Sequence, residues 1–290
     1  MEIVKTSSLT KSYGKARGII DLNLEINEGE FFGFIGPNGS GKSTTIRTLL
    51  GLISPTSGEA YVCGKPIAQV KEVLSDIGYM PSEAMFYSQM KVKDVLKYSA
   101  KLRKLNCDKE ADILCERLNL DVNKKISELS LGNRKKVAIV CAMQHNPKLY
   151  VLDEPTSGLD PLMQKEFFDL LKERNAAGGT VFFSSHVLSE VQRNCTRAAI
   201  IREGMLVAVD TMDNLSRTNT KRVTLHGISR VPEAISCKDV ISSDDMVSFI
   251  YQGDVRQLVG QLNQLPINDL TIEEPELEEI FMHYYMREEE

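Results

Sequence analysis

Residues 36–43 read Gly-Pro-Asn-Gly-Ser-Gly-Lys-Ser, and this stretch decides the fold. It matches the phosphate-loop pattern G-x-x-x-x-G-K-[ST] at every fixed position. An apolar run at 31–35 precedes it, and Ile46, Leu49 and Leu50 follow it at helical spacing. Strand, Gly-rich loop and helix is the order that a phosphate loop requires. A Gly-rich hairpin turn would need neither the lysine nor the helix.

The loop predicts a nucleotide-binding site that also holds Mg²⁺. Its glycines let backbone amides turn toward phosphates, Lys42 places a cation on the β and γ groups, and the Ser43 hydroxyl can bind Mg²⁺. The predicted nucleotide-binding residues of this segment are Gly36, Asn38, Gly39, Ser40, Gly41, Lys42, Ser43 and Thr44. Kinases, GTPases and transport motors all share such a loop, so it does not specify the reaction.

A second apolar strand ends on two carboxylates. Residues 149–152, Leu-Tyr-Val-Leu, are continuously apolar, which is typical of a strand buried on both faces. We expect Asp153 to hold Mg²⁺, directly or through water, and Glu154 to polarise a water that attacks the γ-phosphate. An Asp-Glu pair can also lie in a solvated turn. The sequence Pro-Thr-Ser-Gly-Leu-Asp that follows at 155–160 favours the catalytic interpretation.

A third apolar segment, at 181–183, is followed by Ser-Ser-His at 184–186. A histidine just past the end of a strand lies at the same edge of a parallel sheet as the phosphate loop. His186 is therefore a candidate to contact the γ-phosphate and the attacking water. The alternative is a histidine that caps the following helix.

Composition narrows the class of protein. The chain has 290 residues, 42% hydrophobic and 26% charged, which is ordinary for a soluble protein of one large domain or a domain plus a smaller one. A net charge of -5 without a broad basic face disfavours nucleic-acid binding. No apolar run approaches the ~20 residues that span a bilayer, and the N-terminus lacks a secretory pattern. The six cysteines lack a C-x-x-C pair, which indicates reduced thiols.

With these motifs in this order, residues 1–210 resemble the ATP-binding subunits of ABC transporters. The resemblance implies an α/β fold: a P-loop NTPase core, with a RecA-like sheet plus an antiparallel β subdomain, and an inserted α-helical subdomain at about 84–146. It implies ATP and Mg²⁺ as cofactors. It also implies two kinds of partner, an integral membrane transporter subunit and a second copy of the chain or a homologous ATPase subunit.

The same resemblance assigns residues outside the phosphate loop. In the family's head-to-tail dimer, each ATP lies between the phosphate loop of one subunit and the signature segment of the other. That segment corresponds here to 129–136, with Ser130 and Gly132 facing the partner's phosphate. Asp160 belongs to the D-loop, and Tyr13 occupies the position of the aromatic residue that stacks on adenine.

The signature departs from the usual Leu-Ser-Gly-Gly-Gln at two positions, Leu131 and Asn133. If Ser130 is the N-cap of a helix, its hydroxyl and the free amides of Gly132 and Asn133 face the phosphate. Position 131 then contributes mainly backbone, whereas Asn133 is shorter than Gln. Taken alone, the stretch is also compatible with a capped helix start that has no chemistry.

The position of the family's Q-loop glutamine is held by Ser82. A serine cannot span the distance to Mg²⁺ or the attacking water without an intervening water. Coupling to the membrane subunit then uses a water or the adjacent Glu83, or hydrolysis is slower than usual.

Apolar residues recur at helical spacing in 92–102, 110–120 and 133–145, which predicts the helices of the inserted subdomain. Four residues before them are candidates for a groove that receives a helix of the membrane subunit, or for plain subdomain core. They are Met85, Phe86, Tyr87 and Met90.

Residues 211–290 predict a small α+β module with strands near 221–228 and 246–254, a helix at 255–265, another strand and a final helix. That last helix would begin at Pro275, with Leu277, Ile280 and Phe281 on one side. This end of the chain resembles the tails of ABC-2-type exporter ATPases, including the bacitracin and lantibiotic export branch.

The sequence therefore predicts the ATP-hydrolysing motor of an exporter for peptides or hydrophobic antimicrobials, held at the cytoplasmic face of the plasma (inner) membrane by its membrane subunit. One alternative is a nucleotide-gated regulator with weak hydrolysis, which Ser82 would favour. The other is a soluble ABC-type ATPase that acts on ribosomes or DNA. The single phosphate loop, the lack of long heptad runs and the negative charge disfavour the latter.

Overall fold

The computed structural model describes residues 1–14, 16–216, 220–232, 235–263 and 265–273. The helix predicted to begin at Pro275 lies outside these residues. The chain divides into two compact units, Met1–Thr211 and Met212–Glu290, which are described separately.

Strands and helices alternate through the first unit. Within its described residues the strands are β1 Glu2–Tyr13, β2 Ala16–Leu22, β3 Glu25–Asn27, β4 Phe31–Ile35, β5 Ser57–Val62, β6 Lys65–Pro66, β7 Ile77–Met80, β8 Leu149–Asp153, β9 Thr180–Ser185, β10 Arg197–Arg202 and β11 Met205–Thr211. The helices are α1 Lys42–Leu49, α2 Val92–Leu102, α3 Asp108–Arg117, α4 Leu131–Met143, α5 Pro161–Ala176 and α6 Leu188–Asn194. Short 3₁₀ segments span Ile67–Asp76 and Ile126–Glu128.

A six-stranded sheet in the order β11-β10-β4-β9-β8-β7 forms the centre of this unit. All neighbours are parallel except β10 and β11. Strands β4, β8 and β9 are buried at every residue, as expected for apolar strands covered on both faces. In the register, Ile35 pairs with Ser185 and Asp153 with Ser184. The loop after β4, the carboxylates after β8 and His186 after β9 therefore leave the sheet at one edge.

Phenylalanines pack on both faces of the central strands. The rings of Phe34 and Phe182 lie 5.6 Å apart between centroids, and those of Phe31 and Phe183 lie 5.9 Å apart. Each such buried ring contributes about 1.5–3 kcal/mol through the hydrophobic effect. This packing fixes the strand ends from which the site is built.

A second, antiparallel sheet contains β2-β1-β5-β6, with β3 paired to β1. Its apolar side joins the main core through Leu9, Leu22, Ile26 and Val62, all of which are buried. The predicted α/β class with an antiparallel β subdomain is confirmed.

Helices α2, α3 and α4 coincide with the three predicted helical patterns, and residues 84–91 before them are not helical. Within residues 84–91, Met85 is 92% exposed and Tyr87 is 72% exposed, so the prediction that they form subdomain core is wrong. Phe86 and Met90 are partly buried. In the described residues, none of the helices combines the length and the apolar character needed to cross a bilayer.

The second unit contains β12 Thr220–His226, β13 Cys237–Ser243, β14 Met246–Gln252, β15 Asp269–Glu273, and the helices α7 Met212–Ser216 and α8 Val255–Leu262. Its antiparallel sheet has the order β13-β14-β12-β15. Val223, Phe249 and Leu258 are fully buried in its core. The sequence prediction omitted α7 and β13. β13 is an edge strand with almost no buried residue, so it carries no apolar alternation to detect.

Candidate active site

The phosphate loop takes its shape from glycines. Gly41 lies at the N-cap of α1 with φ 111°, a left-handed conformation that other residues rarely adopt. At Gly36 the chain passes so close to β10 that a Cβ atom would lie 2.3 Å from the Ile201 carbonyl oxygen. These two positions bend the backbone into a loop between β4 and α1, and the first amides of α1 open on the loop.

Lys42, the first residue of α1, points into the loop rather than into solvent. Its side chain is 4% exposed, and its ammonium group donates to the carbonyl oxygens of Gly36 at 2.7 Å and Pro37 at 3.1 Å. The same nitrogen lies 3.2 Å from Glu154 Oε1. The lysine therefore joins the phosphate loop to the carboxylate that follows β8.

Glu154 lies between two cationic or potentially cationic groups. Its Oε1 faces Lys42, and its Oε2 lies 3.3 Å from His186 Nδ1. His186 does not cap the helix after it, because α6 begins at Leu188 with Val187 as its N-cap. The structure thus brings together three residues that are distant in sequence, and the capping alternative for His186 is wrong.

Asp153 is fully buried, which excludes the solvated-turn alternative for this pair of carboxylates. Its Oδ1 accepts a hydrogen bond of 2.7 Å from the Ser184 hydroxyl. Its Oδ2 is buried and has no hydrogen-bond partner among the described residues. Such an atom needs a ligand, since a buried unpaired carboxylate oxygen is costly.

An open cleft of about 590 Å³ lies over the loop, within the usual size range of ligand sites. Its lining residues are Asn38, Gly39, Gly41, Lys42, Ser43, Thr44, Ser82, Glu83, Glu154 and Ser157. Ser82, at the position of the family's Q-loop glutamine, therefore borders the same cleft as the phosphate loop, and so does Glu83.

The signature residues lie elsewhere, at the beginning of α4. Ser130 is the N-cap, and its hydroxyl oxygen accepts from the Asn133 amide at 3.3 Å. The expectation that this amide is free is therefore wrong, because the cap uses it. Gly132 is the second residue of α4 and is partly buried. Leu131 is 59% exposed and lies beside Gly158 of the D-loop segment.

Asp160 and Tyr13 also lie outside the cleft. Asp160 is the N-cap of α5 and accepts from the Met163 amide at 3.0 Å. Tyr13 ends β1 with 46% of its surface exposed, and the Lys11 ammonium lies 5.2 Å from its ring centroid. Within one subunit, these residues are not brought to the phosphate loop.

Sequence reasoning missed two residues that contact the catalytic segment. Ser184 donates to Asp153 and also accepts from the Glu154 amide at 3.0 Å. Lys135, 4% exposed, donates to the Glu154 carbonyl oxygen at 2.8 Å. Ser184 could have been found from its place at the end of β9. Lys135 lies in a charged run, where nothing in the sequence distinguishes it from solvated neighbours.

Comparison with known sequences agrees with this geometry. A family model described as "ABC transporter" matches residues 19–157. The bacitracin transport ATP-binding protein BcrA of Bacillus licheniformis is 33% identical over 298 residues, which cover 97% of this chain and 96% of that protein.

Solved structures give the same result. One described as an ATP-binding subunit of an ABC transporter has a TM-score of 0.70 at 28% identity, and the match covers 74% of this chain and 92% of that structure's chain. Another, a dimeric bacterial ABC transporter cassette, has a TM-score of 0.67 at 26% identity, and covers 72% of this chain and 98% of its own.

Proposed function

The chain belongs to the ABC transporter family of ATP-binding proteins, as its sequence motifs predict, and we propose that it is the ATP-hydrolysing motor subunit of an exporter. Nucleotide binding and transport-coupled ATPase activity come with membership of the family. The direction of transport, the cargo and the roles of individual residues are the proposal.

One observation carries the assignment of the hydrolytic residues: the Glu154 carboxylate lies between Lys42 and His186, at the wall of the cleft. A water bound beside Glu154 would hydrogen-bond to its carboxylate, which then accepts a proton as the water oxygen attacks the γ-phosphorus. The bond to the β-phosphate oxygen breaks and ADP leaves. Lys42 balances phosphate charge, and His186 holds Glu154 and the γ-phosphate in line.

The donor set fits a magnesium ion. Mg²⁺ favours oxygen ligands and keeps several waters, so one carboxylate and one hydroxyl suffice. Asp153, with its unpartnered Oδ2, and Ser43, in the lining of the cleft, would hold it. When bound, Mg²⁺ neutralises charge on the β- and γ-phosphates.

A head-to-tail dimer would complete the site. Ser130, Gly132, Asp160 and Tyr13 all lie outside the cleft, the first three at the starts of α4 and α5. Ser130 and Gly132 would then face the γ-phosphate that the partner holds, Asp160 would lie at the interface, and Tyr13 would stack on adenine. The dimeric cassette with a similar fold supports this arrangement. Closing on two ATP would drive the membrane subunit, and hydrolysis would reopen the dimer.

The exposed pair Met85 and Tyr87 is the proposed contact for a separate integral membrane subunit, because large apolar side chains at a surface commonly mark an interaction site. That subunit would hold the chain at the cytoplasmic face of the membrane. The similarity to BcrA over nearly the whole chain supports export of peptides or hydrophobic antimicrobials. The proposed boundary between motor and accessory module is at residues 210–211, and the helical subdomain spans about 84–146.

The test is Glu154→Gln in the full-length chain. The amide cannot accept the proton, so we expect single-turnover hydrolysis to fall by about 100-fold or more, while ATP binding persists and a dimer accumulates in size-exclusion chromatography. Glu72→Gln, an exposed carboxylate paired with Lys65, is the control for loss of one charge. Hydrolysis at the wild-type rate in Glu154→Gln would refute the assignment of the base. Negligible hydrolysis by the wild type, with and without membranes that carry its partner, would support the regulator alternative.

A further inference from the structure

The backbone of Glu154 has an uncommon conformation. Its φ is 47°, in the left-handed region, although it is neither Gly nor Asn and is followed by Pro155. A residue before proline favours extended conformations, so this geometry costs about 1–3 kcal/mol and must be imposed by neighbouring groups. On its amide side the neighbour is Ser184, whose carbonyl oxygen and hydroxyl both accept from the Glu154 N–H, at 3.2 and 3.0 Å.

On its carbonyl side the neighbour is Lys135. The side chain is 4% exposed, and its ammonium group donates to the Glu154 carbonyl oxygen at 2.8 Å. Burial lowers the pKa of Lys135, and the carboxylates of Asp153, Glu154 and Glu83 oppose that change. A buried ammonium group is stable only when it is paired. The Glu154 carbonyl supplies the hydrogen bond, and the negative charge of the three carboxylates offsets part of the cost of burial.

Lys135 is not among the residues that line the cleft, and its ammonium group donates to the backbone of Glu154 rather than to the carboxylate. It lies in α4, little more than one turn after the N-cap Ser130. The same helix therefore begins at the residue proposed to face the partner's phosphate and, through Lys135, contacts the base of its own subunit.

We propose that Lys135 is a positioning residue that fixes the peptide of Glu154, so that the carboxylate is aimed between Lys42 and His186, and that it ties this base to the helix beginning at Ser130. The proposal rests on the proposed role of Glu154 as general base. A side chain that orients the base without touching substrate affects the chemical step and leaves ATP affinity unchanged.

The first experiment measures ATP hydrolysis by the full-length chain with Lys135→Met, which keeps the apolar stem but removes the donor. We expect kcat to fall by about 10- to 100-fold, with KM and the Kd of a fluorescent ATP analogue changed by less than about 2-fold. Lys135→Arg should keep most of the activity, because a guanidinium can donate to the same carbonyl. Lys172→Met, at an exposed lysine of α5 outside the signature segment, is the control for loss of a lysine and should be unaffected. Unchanged kcat in Lys135→Met would overturn the proposal, as would a loss that appears in KM alone.

The second experiment places Lys135→Met in a Glu154→Gln background. If Lys135 acts through Glu154, adding Lys135→Met to Glu154→Gln lowers the hydrolysis rate by less than about a further 3-fold. If the two effects are independent, they multiply, and that result would overturn the proposal. Normal hydrolysis by Glu154→Gln alone would instead refute Glu154 as the base, which separates the two failures. If Lys135→Met does not fold, Lys135→Leu, which also lacks a hydrogen-bond donor, takes its place. A fall in kcat at constant KM supports the proposal, and normal kcat overturns it.

Discussion

The candidate site has two parts, a loop half around Lys42 and Glu154 and a signature half around Ser130. A single chain brings the groups of the loop half together, whereas the signature half needs a second chain. Around the loop, Lys42, Glu154 and His186 are joined by contacts of 3.2–3.3 Å, and Ser184 fixes both Asp153 and Glu154. At the signature, the hydroxyl of Ser130 has only the Asn133 amide of its own helix as a hydrogen-bond partner among the described residues.

This difference separates two kinds of function. The loop half is preorganised, because Lys42 and Asp153 are buried and because Glu154 contacts both Lys42 and His186. The signature half is a capped helix end, and by itself a helix end is a common structural feature rather than a site. Its proposed role depends on the partner subunit. Substitutions at Lys42 should therefore change ATP binding within one chain, whereas a substitution at Ser130 should change hydrolysis only when two chains meet.

The largest effect is expected from Lys42→Met. It removes the cation that faces the phosphates and leaves the buried carbonyls of Gly36 and Pro37 without their donor. We expect ATP binding by the monomer to be lost and hydrolysis to fall by at least about 100-fold. Isothermal titration with ATP and a phosphate-release assay measure these two quantities. Lys148→Met, on an exposed lysine, is the control. Tight ATP binding by the Lys42 variant would contradict the conclusion that the loop half binds ATP within one chain.

Ser130→Ala is expected to have the next largest effect, and of a different kind. ATP binding by the monomer should be unchanged, whereas hydrolysis and ATP-driven dimerisation should fall by about 10-fold, since a phosphate contact from the partner is lost. Loss of the cap also lowers the free energy of unfolding by about 1 kcal/mol.

Ser130→Asp separates these two contributions. Asp caps a helix as well as Ser does, so the melting temperature should return to the wild-type value. A carboxylate facing a phosphate is repelled, so dimerisation should remain impaired. Recovery of dimerisation together with stability would mean that Ser130 is only a cap.

The sequence predicts the loop half more completely than the signature half because of burial. Continuous apolar runs identify β4, β8 and β9, and parallel strands with known ends bring Lys42, Asp153 and His186 to one edge. The side chains that these residues contact were harder to predict from the sequence. Nothing in a charged run shows that Lys135 folds inward, because that depends on tertiary packing against the segment after β8.

Three further differences have local causes. The free amide expected at Asn133 is used by the Ser130 cap, a consequence of the N-cap geometry itself. The edge strand β13 was missed because none of its residues is buried, so its sequence lacks an alternating apolar pattern. The core alternative for Met85 is wrong because an apolar residue type alone does not determine burial.

A smaller effect is expected from Ser184→Ala, which tests the hydrogen bonds that Ser184 makes to Asp153 and Glu154. The Asp153 carboxylate and the Glu154 amide each lose a hydrogen bond, which lowers the free energy of unfolding by about 1–3 kcal/mol. We expect kcat to fall several-fold with little change in ATP affinity. Ser185→Ala removes hydrogen bonds to Glu190 and Val187 from the next residue, and should cost stability without lowering kcat. Equal kcat losses in the two variants would show that strand β9 matters only as a scaffold.

The smallest effect concerns His145, just after the signature helix α4. Its Nε2 lies 3.2 Å from the Ile77 carbonyl oxygen at the start of β7, and its buried Nδ1 has no partner among the described residues. Burial, and then the Arg103 cation, lower the pKa of His145 from 6.5 to about 4, against weaker opposition from the Ile77 hydrogen bond and Asp76. The folded chain therefore keeps a neutral imidazole that donates to Ile77.

Because the unfolded histidine binds a proton near pH 6.5 and the folded one only near pH 4, the contribution to stability is complete above pH 6.5 and is lost progressively as the pH falls toward 4. The full difference would be roughly 3 kcal/mol, and partial exposure of the ring reduces it to about 2 kcal/mol. Urea unfolding of His145→Gln should show a correspondingly shallower fall between pH 7 and 4.5. The Gln variant keeps a donor for Ile77, so near pH 7 it should resemble the wild type. An unchanged pH slope would mean that the imidazole takes up its proton at the same pH in the folded and the unfolded chain, which would contradict a lowered pKa of His145.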